Sequence, residues 1–157
     1  MRTFVSLIRR FLRDDRRGAS ALEFGLIVPV LMLAVGGVTE LGGYFQQSGA
    51  VEKGLRSAAT YAARADLPLS SAALATIEKI ARTGETNGSI DVVEGWSDGK
   101  AKLTVTVSDV TSGGTTVSVI RLEASLPYTP VVPVIDGLEA LRALTISATH
   151  EQAHIGG

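Results

Sequence analysis

The sequence predicts an α+β protein: a long N-terminal membrane-spanning helix, then a small domain in which a four-stranded antiparallel sheet packs on helices. Three patterns lead there. An apolar run of 20 residues, Ala19–Val38, follows an arginine-rich head. From Leu41 to Ala62, apolar and small residues recur at alternating spacings of three and four. The second half of the chain alternates apolar and polar residues in stretches separated by glycine and proline. At 157 residues there is room for one ordinary domain and an appendage.

Charge is unevenly placed. The first 18 residues hold six arginines (Arg2, Arg9, Arg10, Arg13, Arg16, Arg17) against Asp14 and Asp15, while the whole chain has a formal net charge of −1. A basic head before an apolar run is a membrane-targeting pattern, and it places the N-terminus on the cytoplasmic side, because Glu40, Glu52, Lys53 and Arg56 beyond the run are mixed in sign. A nucleic-acid-binding arm would also be arginine-rich, but the apolar run follows it directly, so the expected partner is a lipid bilayer and not a nucleic acid. With no cysteine, thiolate metal sites, cysteine nucleophiles and disulfides are excluded.

Ala19–Val38 reads ASALEFGLIVPVLMLAVGGV. Twenty helical residues at ~1.5 Å each span roughly the 30 Å hydrocarbon core of a bilayer. Glu23 is the residue out of place, because an unpaired carboxylate inside a membrane is costly. Cleavage after Gly18 would supply a partner: a free α-amino group on Ala19, one helical turn from Glu23. An ordinary signal peptide cut near Ala34-Val35-Gly36, or a plain signal anchor, would also account for the run. Pro29 lies inside it and either kinks the helix there or is simply tolerated.

Arg16-Arg17-Gly18-Ala19-Ser20-Ala21-Leu22-Glu23-Phe24 resembles a type IV prepilin cleavage motif. The longer stretch over residues 16–64, with Glu23-Phe24, Pro29, Glu40-Leu41-Gly42 and Tyr61-Ala62-Ala63-Arg64, resembles the TadE-like pseudopilins of the tight-adherence (Tad, or Flp) pilus. The resemblance implies a leader over 1–18, cut between Gly18 and Ala19 by a prepilin peptidase. It implies a pilin-like helix over 19–65, with its transmembrane part at about 19–41, and an extracytoplasmic domain over 66–157. It also implies a minor subunit, since the major Flp pilins are much shorter. Glu23 and Phe24 would serve assembly. The implied partners are other pilin or pseudopilin subunits, the prepilin peptidase and the inner-membrane assembly platform.

Beyond the membrane, Leu41, Tyr44, Ser48, Val51, Leu55, Ala58 and Ala62 form one helical stripe, to be covered by the chain's own domain or by other subunits. Asp66-Leu67-Pro68 ends the helix. Ser70 or Ser71 caps a second helix whose apolar face is Ala73, Leu74, Ile77, Ile80 and Ala81, and Gly84 closes it. Asn87-Gly88 and Asp98-Gly99 bracket a first strand at Ile90–Trp96. Ala101–Val107 is a second, with Ala101, Leu103, Val105 and Val107 inward. After Ser112-Gly113-Gly114, Thr116–Leu126 is a third, with Ile120, Leu122, Ala124 and Leu126 on one face. Pro127, Pro130 and Pro133 interrupt, Asp136 caps a short helix at Gly137–Arg142, and Ala143–Gln152 is the fourth strand, with Leu144, Ile146 and Ala148 on one face.

Little in the chain carries chemistry. No cofactor motif is present, and the expectation is a subunit that assembles, not an enzyme. His150-Glu151-Gln152-Ala153-His154 spells the zinc-hydrolase signature H-E-x-x-H, which requires a helix to bring both imidazoles to one metal. The strand pattern leading into it would instead set His150 and His154 ~13 Å apart. They are weak metal candidates, and the alternative of an anchored zinc hydrolase using His150, Glu151 and His154 is the less favoured reading. Trp96 is a core or turn-packing residue, with a contact role as the alternative.

Overall fold

A computed structural model describes residues 2–96, 99–132 and 143–156, with 2–17 described as backbone only. The element order is α1 (Arg2–Ala62), α2 (Ser71–Thr83), β1 (Lys102–Ser112), β2 (Thr115–Pro127) and β3 (Thr145–Ala153). The chain divides into two compact units, Met1–Thr39 and Glu40–Gly157. The second half of α1 therefore belongs to the same unit as the sheet.

In the first unit the helix is continuous through Pro29. From Gly18 on, its most apolar 18-residue window has a mean hydropathy of 2.1 and is 6% buried. A core helix with that composition would be covered by its own protein; this one exposes Leu22, Leu26, Val30, Met32 and Val35. It is long and apolar enough to cross a membrane.

In the second unit α1 lies along a three-stranded antiparallel sheet of order β1-β2-β3. Val51, Leu55, Ala58, Ala59 and Ala62 are fully buried along one face of α1, as the 3-4 stripe requires. Opposite them, the central strand presents Ile120, Leu122, Ala124 and Leu126, and β3 presents Ile146 and Ala148. Removing a side chain such as Leu55 or Ile120 from this core costs about 2–5 kcal/mol. Two-residue reversal at Gly113-Gly114, with φ of 58° and 83°, sets the β1–β2 register from Ser112↔Thr115 to Lys102↔Ser125. Ser70 caps α2 by accepting from the Ala73 N–H at 3.1 Å, and Gly84, in the left-handed region, closes it with a bond to Ile80 O. Ile77, Ile80 and Ala81 join the core.

Among the described residues the sheet has three strands rather than the four expected. Ile90–Trp96 is irregular: Gly95 has φ of 86°, and burial falls on Val93 and Trp96, three residues apart, not on every second residue. This segment instead finishes α2, because the Val92 N–H donates to Arg82 O at 2.9 Å and Arg82 pairs with Asp91 at 2.8 Å. Trp96 is in the core. Two further expectations need correcting. Val107 is 41% exposed, because it lies on an outer strand near the open end of the sheet, and Leu144 precedes β3 and is largely exposed. The helix expected at Gly137–Arg142 with its Asp136 cap, Pro133 and Asp98 lie outside the described residues.

Gly54 shows how closely the helices approach. A Cβ there would lie 2.2 Å from Ala81 O, a backbone atom of α2, whereas one at Gly49 would meet nothing within 4 Å. Gly54→Ala should therefore lose about 1–3 kcal/mol by overpacking, despite alanine's helix propensity. Gly49→Ala should gain up to about 1 kcal/mol. Thermal unfolding of the two full-length variants in detergent, followed by circular dichroism, checks the opposite signs.

Candidate functional site

Two places on α1 concentrate residues that composition alone would not put there. The first lies in the N-terminal unit. Gly18, Ala19, Glu23 and Phe24 are all helical and exposed. Ala19 and Glu23, one turn apart, share a helix face. Glu23 has no hydrogen bond or ion pair among the described residues. Pro29 is exposed on the same helix.

The second begins at Glu40, the first residue of the folded unit and its one buried charged residue among those described, 2% exposed. The stripe expected from Leu41 begins one residue earlier, and Leu41 is exposed. The cause is the chain segment that follows β2. Its Tyr128 hydroxyl donates to the Glu40 carboxylate, as do the Val132 N–H and, at 3.2 Å, the Val131 N–H. The Tyr128 hydroxyl also lies 3.0 Å from Glu40 O. An ionised carboxylate is an acceptor only, and here every contact is a donor, so the group is satisfied without a cation. Burial, the hydrogen bond to Glu40 and Glu40's negative charge push the Tyr128 phenol up to about 12.

One and two turns on, the same face continues the clamp. Gly43 leaves room for the incoming chain: a Cβ there would fall 2.4 Å from Val131 Cγ2 and 2.9 Å from Tyr128 Oη. Tyr44 stacks edge-on against Tyr128 at 5.6 Å. The Gln47 side chain donates to Thr129 O at 2.7 Å and accepts from the Thr129 N–H at 3.3 Å. Glu40, Gly43, Tyr44 and Gln47 thus hold Tyr128–Val132 at helical spacing. Sequence reading passed over this site because the stripe was sought among apolar residues; Glu40, three residues before a glycine and seven before a glutamine, was the available signal.

The H-E-x-x-H residues form no third site. His150 and Glu151 are successive residues of β3, so their side chains point to opposite faces. Glu151 pairs with Arg121 at 3.4 Å, and the His154 ring nitrogen lies 2.9 Å from Ala65 O beyond the end of α1. Among the described residues no group of three or more His, Cys, Asp or Glu could hold a metal ion. The zinc-hydrolase alternative has no support in this geometry.

An apolar helix of membrane length runs without a break into the helix of a small α+β unit. Residues 18–64 match the model of the family described as TadE-like protein, and that segment is similar to TadE-like proteins. The match takes in both places on α1, from Gly18 and Glu23 to Glu40 and Gln47. Nothing matches among curated proteins or among solved structures.

Tyr128→Phe leaves a buried carboxylate one donor short and should cost about 1–3 kcal/mol. A phenol whose folded pKa is raised contributes fully below its unfolded value and loses that contribution as pH rises through the folded one. The stability gap between wild type and Tyr128→Phe should therefore narrow between about pH 10 and about pH 12. Urea unfolding of both proteins across that range measures it.

Proposed function

We propose that this protein is a minor pilin-like subunit that takes part in assembling a Tad (Flp) adhesive pilus, after a prepilin peptidase cuts its precursor between Gly18 and Ala19. The observation that carries the reading is the family match beginning at Gly18, on an exposed apolar helix whose acid Glu23, without a partner among the described residues, stands one turn from the new N-terminus. Cutting there removes the six arginines and creates an ammonium on Ala19. That ammonium and the Glu23 carboxylate neutralise each other, within a subunit or between neighbours, and this offsets the cost of holding the acid at the edge of the hydrocarbon. Phe24 and the apolar side chains after it provide the face for lipid or for other subunits' helices.

The arginine-rich head keeps the uncut N-terminus in the cytoplasm, so the unit from Glu40 onward lies outside the inner membrane, in the periplasm or carried into the fibre. Its partners are other pilins or pseudopilins, the peptidase and the assembly platform. Pro29 breaks the hydrogen-bond ladder within the span, a place where the helix bends to fit its neighbours.

Mass spectrometry of protein from the native envelope should find a chain beginning at Ala19. An intact arginine-rich head, or a start near Gly36, overturns the reading. Glu23→Ala should insert and be cut as the wild type is, yet enter fibres poorly; fibre yield and the cut-to-uncut ratio measured on the same cells separate the two steps.

A further inference from the structure

β1 is an outer strand of 11 residues whose free edge has no pairing among the described residues. Among the described residues no backbone hydrogen bond joins it to anything but β2. Its register with β2 runs from Lys102 to Ser112 without a bulge, it contains no proline, and its charges are Lys102 at the first position and Asp109. Between them it reads L-T-V-T-V-S, a strongly β-forming sequence. Soluble proteins disarm such edges with bulges, prolines, several lysines or a covering segment. The opposite edge differs: the chain leaving β3 is tied to α1, with the Ile155 N–H donating to Ala63 O at 3.0 Å.

We infer that the β1 edge pairs, antiparallel and about a two-fold axis at Val105, with β1 of a second copy of this chain, making one continuous six-stranded sheet. The side chains select that partner and register. Leu103, Val105 and Val107 lie on the core-facing side of β1, and Thr104, Thr106 and Ser108 on the outer side. Antiparallel self-pairing at Val105 sets Leu103 opposite Val107, Val105 opposite its own copy, and Thr104 opposite Thr106. The 41%-exposed Val107 is thereby covered by an apolar neighbour. Asp109 of each copy lies opposite Ala101 of the other, and Lys102 opposite Ser108, so no like charges meet across the pair. Parallel pairing would align lysine with lysine and aspartate with aspartate. An interface of one strand is small and weak in dilute solution, but anchoring both copies in one membrane raises their effective concentration. The pairing does not depend on cleavage at Gly18.

The chain has no cysteine, so engineered ones report alone. In membranes of cells expressing the full chain, Val105→Cys, and separately Thr104→Cys with Thr106→Cys on the solvent-facing side, should give a covalent dimer under mild oxidation. Ser147→Cys, on the same outer face but on β3, should not. Thr104→Lys with Thr106→Lys in the Val105→Cys background sets lysine against lysine and should abolish the dimer. Co-expression with the Thr104→Glu, Thr106→Glu counterpart, also carrying Val105→Cys, should restore it as a mixed pair. Protease resistance of each variant verifies its fold. The inference is overturned if Val105→Cys and the Thr104/Thr106 cysteines cross-link no more than Ser147→Cys, if they cross-link only to a different protein, or if the lysine pair leaves the dimer unchanged. A failed processing assay leaves this result standing, and a failed cross-link leaves the processing result standing.

Discussion

The folded unit depends on hydrogen bonds to one buried carboxylate. Glu40 is the first residue of that unit, and it is out of water. A buried carboxylate without donors would cost several kcal/mol. Three donors meet it, all from Tyr128–Val132, the segment that leaves the central strand. The end of β2 is therefore fixed to the helix at the residue where the folded unit begins. Because β2 is hydrogen-bonded to both other strands, fixing it fixes the sheet. The apolar face from Val51 to Ala62 then packs on a sheet whose position is already set, and Gly43 and Gly54 let backbone and side chains approach where any Cβ would obstruct them.

What was legible from the residues follows how local the controlling physics is. The α2 caps, the Gly113-Gly114 reversal and the alternation on β2 each rest on a few neighbouring residues, and each stands where the pattern put it. The family resemblance over residues 16–64 rested on a linear motif and is matched over 18–64. Ile90–Trp96 has valines and a tryptophan that suit a strand, yet it is irregular. Its course is decided by distant partners, chiefly Arg82 and the core that takes Val93 and Trp96. Val107 was placed inward by parity alone, which says which side of a sheet a residue faces but not whether anything covers that side.

The Glu40 clamp was illegible for a different reason. Hydrophobic periodicity treats a glutamate as a solvent residue, and here the acid occupies a core position in the stripe. The arrival of the Tyr128 hydroxyl and two consecutive backbone N–H groups from about ninety residues away makes that position tolerable. Glu23 presents the converse arrangement, exposed and without a partner among the described residues. The two acids thus divide between them structure within one chain and, in the proposed reading, encounter between chains. His150, Glu151 and His154 show the limit of motif reading: the letters match a metal signature, but a strand cannot hold them as a helix would.

The tail after β3 returns to the far end of α1, where Ile155 bonds to Ala63 and His154 to Ala65. From Glu40 to Ala62 the helix climbs about 33 Å at 1.5 Å per residue. A fluorescent tag or epitope appended beyond Ile155 would thus emerge a whole helix length from the acid clamp, leaving that end of the molecule unobstructed for labelling in living cells.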